Sequence, residues 1–258
     1  MLITTSDSKD EEITRRARLL SEKYGLNYRE RAGKSIKYLM REDKRIFVVN
    51  NLHGLSYYEE GKEELFYHPN MAFHRIYQLR HGGSDALAEV CGIGEGTTFF
   101  DGTMGLAADA LTISFLVGER GRVTAAEKSL PIYILVNEGL KTFAGKMPVM
   151  KDAVSRMEIH NADCLDLLKN AENGAYDVVY FDFMFNEPNF KSIGLNTMRA
   201  YACPDQITEE HVAEAVRSAK KRVIVKTDLA SAASLEKLGL CQIKKSSRGA
   251  FCYIGLIK

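Results

Sequence analysis

The chain has 258 residues, 45% hydrophobic and 27% charged, which suits a globular protein with a full-sized core and room for a small additional domain. The net charge of +1 gives no overall bias toward nucleic acid, although residues 1–45 hold twelve Lys/Arg against eight Asp/Glu, including Arg15-Arg16-Ala17-Arg18. Five scattered cysteines with no Cys-x-x-Cys spacing argue against a disulfide framework or a zinc site. No run approaches the roughly 20 apolar residues of a membrane span, so a cytoplasmic protein without a metal is expected.

In chain order, Leu2-Ile3-Thr4-Thr5-Ser6 reads as a strand. The acids Asp10-Glu11-Glu12 then open a helix whose apolar positions Ile13, Ala17, Leu20 and Tyr24 recur at helical spacing before Gly25 stops it. Lys37-Tyr38-Leu39-Met40, Arg45-Ile46-Phe47-Val48-Val49, Leu55-Ser56-Tyr57-Tyr58 and Leu65-Phe66-Tyr67-His68 read as strands, so residues 1–68 form a small α+β domain. Pro69 breaks the pattern. Beyond it an Arg- and His-rich stretch leads to Gly82-Gly83-Ser84 and a short helix over residues 85–90; His68, His74 and His81 lack a metal-ligand spacing.

Residues 69–258 then alternate regularly: strand 97–101, helix from 105, strand 122–127, helix from 129, strand 157–162, helix from 164, strand 177–183, a helix near Glu209, and the strand Val223-Ile224-Val225-Lys226. Alternation of this kind predicts a mostly parallel sheet covered on both faces. Residues 240–244 and 251–256 close the chain as an antiparallel hairpin, bringing the sheet to seven strands.

The centre of this pattern is Phe99-Phe100-Asp101-Gly102-Thr103-Met104-Gly105-Leu106-Ala107-Ala108-Asp109, a strand, a glycine-bearing turn and a small-residue helix start. Two glycines in such a turn serve either the turn itself or the close approach of a nucleotide. Glu127 ends the second strand, 26 positions after Asp101, where a carboxylate can accept from ribose hydroxyls, and Asp163 ends the third, placed to meet an adenine amine. On the fourth strand, Tyr176-Asp177-Val178-Val179-Tyr180-Phe181-Asp182-Phe183-Met184-Phe185 delivers Asp182 to the ligand side. Asp182 there suits an amine N–H, with Phe183 or Phe185 stacking on a planar ring; the alternative is that Phe183-Met184-Phe185 continues a buried strand.

Together with Lys191-Ser192, Met198-Arg199-Ala200-Tyr201, Lys221-Arg222-Val223-Ile224-Val225-Lys226 and Ser247-Arg248-Gly249-Ala250-Phe251-Cys252-Tyr253, these stretches resemble the RsmJ family in order and spacing from about Gly82 to the C-terminus. Its members are class I S-adenosylmethionine-dependent methyltransferases, with a Rossmann-like fold, that modify the exocyclic amine of a guanine in small-subunit ribosomal RNA. The resemblance implies that Asp101, Gly102, Thr103, Gly105, Ala108, Asp109, Glu127, Lys128, Asp163, Cys164 and Asp182 surround S-adenosylmethionine. It implies that Asp182 and Phe185 act at the acceptor amine, and that Phe183, Lys191, Arg199 and Lys226 meet the RNA. The family's strand end reads Asp-Pro-Met-Phe-Pro, whereas Phe183 and Asn186 stand in place of its prolines here.

Three other readings stand beside this one. A nicotinamide-dependent dehydrogenase would share the turn and the second-strand acid, but Gly102-Thr103-Met104-Gly105 lacks the Gly-x-Gly-x-x-Gly pattern. A methyltransferase acting on a small molecule or protein, and a non-catalytic RNA-binding module, would both keep the fold.

Overall fold

The computed structural model describes residues 1–6, 9–183, 197–245 and 251–258. The N-terminal strands β1 (Leu2–Thr5), β2 (Asn27–Tyr28), β3 (Arg45–Asn50), β4 (Gly54–Glu59) and β5 (Leu65–Phe66) pair in the order β2-β1-β3-β4-β5. Helix α1 (Glu11–Tyr24) buries the apolar stripe Ile13, Ala17 and Leu20. Its first turn is closed by Asp10, which accepts from the N–H groups of Glu12 and Ile13 at 3.0 and 3.1 Å, and Gly25 ends it at φ 63°.

The expectation of a strand over residues 37–40 is wrong: α2 (Ile36–Leu39) is a helical turn. Ser35 caps it by accepting from Tyr38 N–H at 3.1 Å, and only Leu39 is buried. Four residues are too few for a periodicity to show, so the cap decided the conformation.

After α3 (Asn70–Arg80) and α4 (Ala86–Cys91), the second sheet is built from β6 (Thr98–Asp101), β7 (Arg122–Ala126), β8 (Met157–His160), β9 (Tyr176–Phe181), β10 (Ala219–Thr227), β11 (Cys241–Lys245) and β12 (Cys252–Ile257). Their order is β11-β12-β10-β9-β6-β7-β8. Strands β10, β9, β6, β7 and β8 run parallel, and β12 lies antiparallel between β10 and β11, as the alternation and the terminal hairpin predict. The chain proceeds from β6 outward to β7 and β8, then returns to place β9 on the other side of β6. The carboxyl ends of β6 and β9 therefore flank the switch point where open α/β sheets bind ligands.

The connecting helices are α5 (Ala108–Leu116), α6 (Leu130–Lys146), α7 (Pro148–Ser155), α8 (Cys164–Asn170), α9 (Glu209–Ser218) and α10 (Leu229–Glu236). Helix α5 begins three residues later than expected, and β9 stops at Phe181, leaving Asp182 and Phe183 beyond the strand. The sequence pattern does not announce α7 or α10. Among the described residues no helix is long and apolar enough to cross a membrane.

Neighbouring strand residues alternate between two apolar layers. Phe99, Val178, Tyr180 and Ile224 enter one cluster, while Phe100, Val179, Phe181, Val223 and Val225 enter the other. The first cluster continues into the N-terminal sheet, where Ile3, Phe47, Tyr57 and Tyr67 share it with Ile132, Val136 and Leu140 of α6. Glu138 of α6 reinforces this junction, accepting from Lys23 Nζ at 2.6 Å and Tyr24 Oη at 2.5 Å.

Gly139 of α6 lets this junction close: a Cβ there would stand 2.1 Å from Cδ1 of Tyr67, whereas one on Gly145 of the same helix would meet nothing within 4 Å. A glycine-to-alanine change in a helix stabilises by roughly 0.5–1 kcal/mol where there is space. Gly145→Ala should do so, while Gly139→Ala should destabilise by about 1–3 kcal/mol, the typical overpacking cost. Urea unfolding of the two variants measures both.

Candidate active site

The glycine turn is tied to both neighbouring strands. Gly102 N–H donates to Tyr180 O at 2.9 Å and Met104 N–H to Ala126 O at 2.9 Å. A Cβ on Gly102 would stand 2.5 Å from the Phe181 ring, so only glycine lets the turn pass this close to β9. Gly105 adopts φ 52°, and Ala107, which precedes α5, adopts φ 58°, a conformation uncommon for a residue with a Cβ. Such strain persists where the surrounding structure imposes it, which is typical of ligand sites.

Four carboxylates gather on this turn, each held by named donors. Asp101, 1% exposed, accepts from Thr103 N–H at 3.0 Å. Burial, reinforced by the charge of Asp109, pushes its pKa up to about 8. Glu127 accepts from Gly105 N–H at 3.0 Å through Oε2 and from Ser129 N–H at 2.7 Å through Oε1. Burial raises it to about 7 against the pull of those two bonds. Asp109 accepts from Tyr180 Oη at 3.0 Å and pairs with Arg75 of α3. Burial works to raise Asp109, but Lys226 and Arg75 outweigh it and hold the carboxyl below its usual range.

The fourth is Asp182. Its backbone N–H donates to Thr103 Oγ1 at 2.6 Å, which locks the end of β9 onto the turn, and its Oδ2 lies 2.5 Å from Lys226 Nζ. Burial raises the Asp182 pKa despite Lys226. Lys226 is itself raised, because Asp182 and Asp109 together overcome its desolvation. The ring of Phe183 lies 5.6 Å from that of Phe181, stacked, and meets His211 edge-on at 5.5 Å.

Across the site, Asp163 caps α8 by accepting from Leu165 N–H at 2.9 Å and pairs with Lys128 at 2.9 Å. Lys128 also pairs with Asp205 at 2.7 Å. Cys164 lies buried beside Asp163, its thiol pushed up to about 12 by burial. Donor atoms of Asp163, Cys164 and His211 come within 4.8 Å of one another, and His211 Nδ1 is shared with Thr208 Oγ1 at 2.7 Å.

The structure thus brings together Asp101, Gly102, Thr103, Gly105, Ala108, Asp109, Glu127, Lys128, Asp163, Cys164, Asp182, Phe183 and Lys226. Arg199 is half-buried one residue from Met198, which packs over Gly105. Phe185 and Lys191 lie outside the described residues. Arg75, Ser129, Tyr180 and His211 belong to the same constellation, and the sequence reading passed over them. Arg75 sits in an ordinary helix and Tyr180 inside a strand, so nothing local marks either one.

The fold and this site define the class: a seven-stranded, mostly parallel sheet with an antiparallel terminal hairpin is that of class I S-adenosylmethionine-dependent methyltransferases. It is similar over 100% of the chain to the crystal structure of a SAM-dependent methyltransferase from Neisseria gonorrhoeae, with a TM-score of 0.59, 18% identity and 96% of that chain covered. Residues 33–248 match the family described as "Putative SAM-dependent methyltransferase", and the chain belongs to that family. It is 31% identical over 257 residues to the uncharacterized protein YpiP of Bacillus subtilis (strain 168), covering 100% of this chain and 99% of the relative. It is also 30% identical over 161 residues to the ribosomal RNA small subunit methyltransferase J of Pseudoalteromonas atlantica. That match spans 58% of this chain and 61% of the relative.

The protein is therefore an S-adenosylmethionine-dependent methyltransferase. Its residues fit that cofactor. An excess of carboxylates around the glycine turn suits a ligand bearing sulfonium and ammonium charges, ribose hydroxyls and an adenine amine.

The raised pKa of Asp101 sets a pH dependence. The folded state keeps its proton up to about pH 8 while the unfolded chain releases it near 3.8, so this group's contribution is full at acid pH and lost as pH rises between those values. Relative to the wild type, Asp101→Asn should gain stability steadily from about pH 4 to 8, read from urea unfolding at several pH values.

Proposed function

We propose that the protein transfers a methyl group to an exocyclic base amine, guanine N2, in small-subunit ribosomal RNA. The single observation that carries this reading is the placement of Asp182, at the carboxyl end of β9, bound through its N–H to Thr103 of the glycine turn and through its carboxylate to Lys226. The partial match to ribosomal RNA small subunit methyltransferase J supports the choice of RNA. An RNA substrate of this kind supports a cytoplasmic location.

S-adenosylmethionine supplies an electrophilic methyl group. In this reading Glu127 receives the ribose hydroxyls, Asp163 and Cys164 border the adenine, Lys128 orients Asp163, and Asp101, Gly102, Thr103, Gly105, Ala108 and Asp109 form the floor of the site. Asp182 accepts an N–H of the base amine, which aims the nitrogen lone pair, and takes up the proton that the nitrogen sheds on methylation. The 2.5 Å pairing turns Lys226 toward this carboxylate rather than toward an RNA phosphate. Lys226 favours the ionised form of Asp182 that proton uptake requires.

Where the RsmJ family has a proline after this aspartate, Phe183 packs its side chain against the rings of Phe181 and His211. Phe183 is thereby a wall of the base site, with Arg199, the Arg15-Arg16-Ala17-Arg18 cluster of α1, Phe185 and Lys191 proposed as contacts to the RNA strand.

The test uses small ribosomal subunits, or their RNA, from a strain lacking the gene, with isotopically labelled S-adenosylmethionine. Wild-type protein should label guanine N2. Asp182→Ala should lower incorporation by about 100-fold or more while cofactor affinity, measured by calorimetry, changes little. Glu127→Ala should abolish cofactor binding. Full activity of Asp182→Ala, or label recovered only on protein or on a small molecule, would overturn the proposal.

A further inference from the structure

No residue of the N-terminal sheet is assigned above to the cofactor or the base, yet residues 197–205 join that sheet to the cofactor site. On one side Thr197 Oγ1 donates to Glu63 Oε2 at 2.9 Å and Tyr201 Oη to Glu63 O at 2.5 Å. The Tyr201 ring also lies edge-on to Tyr57 of β4 at 5.5 Å, with Lys62 Nζ 4.7 Å from its centroid. On the other side Ser129 Oγ donates to Tyr201 O at 3.0 Å and Lys128 Nζ pairs with Asp205 at 2.7 Å. Met198 reaches over the turn, its sulfur 3.4 Å from where a Cβ of Gly105 would stand.

These contacts close a circuit around one carboxylate. Tyr201 O holds the Ser129 hydroxyl, Ser129 N–H and Gly105 N–H hold the two oxygens of Glu127, and Met198, three residues from Tyr201, covers Gly105. A shift of Tyr201 displaces both ends of the circuit at once. We propose that Tyr201 is a positioning residue for cofactor binding, and that the N-terminal sheet, through Glu63 and Tyr57, is part of the S-adenosylmethionine site. This rests on the reading that Glu127 and the glycine turn hold the cofactor.

Coupling of this kind is reciprocal: whatever the sheet contributes to cofactor affinity, the cofactor returns as added order at Glu63. The experiment titrates S-adenosylmethionine into the full-length wild type, Tyr201→Phe, Glu63→Ala and Glu127→Ala by calorimetry. It also follows amide hydrogen exchange over residues 59–65 with and without the cofactor. Tyr201→Phe loses only the hydroxyl, so its cofactor-free unfolding temperature should move by no more than a few degrees, while its Kd rises by at least about fivefold, the lower end of typical couplings.

Glu63→Ala, which keeps the carbonyl bound by Tyr201 and removes the carboxylate that accepts from Thr197, should weaken binding in the same direction but by less. In the wild type the cofactor should slow exchange over residues 59–65, and in Tyr201→Phe it should not, an effect a purely structural tyrosine would not produce. Wild-type Kd in Tyr201→Phe and Glu63→Ala, with exchange at 59–65 indifferent to the cofactor, would overturn the proposal while leaving Glu127 in place. Wild-type affinity in Glu127→Ala would instead remove the reading on which it stands.

Discussion

Four carboxylates, Asp101, Asp109, Glu127 and Asp182, converge on one turn, and the surrounding structure is arranged to make that tolerable. Like charges out of water raise one another's pKa and destabilise the fold unless cations or N–H donors face them. Arg75 comes from α3, ahead of the sheet, and Lys226 from β10, on its far side; backbone N–H groups of Thr103, Gly105 and Ser129 supply the rest. In the proposed site, the positive charge of the cofactor would complete part of this balance.

That constraint explains why elements far apart in the chain meet here. The glycine turn touches β9 through Gly102 N–H and Thr103, touches the end of β7 through Met104 N–H, and is covered by Met198. Each contact needs a neighbour without bulk or a backbone group in a set direction. The αL conformation of Ala107 and the 2.5 Å approach of Phe181 to the Gly102 position both follow from forcing the turn into that space. The N-terminal sheet shares a continuous apolar cluster with α6 and so stands close enough for Glu63 to reach Tyr201.

The role proposed for Asp182 depends on its lying just past its strand. Within β9 it would take part in the ladder; one residue beyond Phe181 its N–H is free to bind Thr103 and its carboxylate to meet Lys226. Its position is thus fixed by hydrogen bonds to two different elements, the glycine turn and β10.

The sequence by itself determined the strand and helix alternation, the parallel sheet with its terminal hairpin, and the acids Asp101 and Glu127 at the ends of β6 and β7, because these follow from periodicity and from residues adjacent in the chain; Asp163, expected to end the third strand, instead lies beyond β8 and caps α8. It misread residues 37–40, where one hydrogen bond from Ser35 outweighed β propensity, and it placed the start of α5 three residues early, because the strained turn has no sequence signature of its own. Only the tertiary structure decided that Lys226 faces Asp182, that Arg75 and Tyr180 hold Asp109, and that Tyr201 links Glu63 to Ser129. Those partners lie between 34 and 138 positions apart. Local pattern carries no information about pairing at such separations; it arises when the sheet order sets β9 beside β6 and the N-terminal sheet packs onto α6.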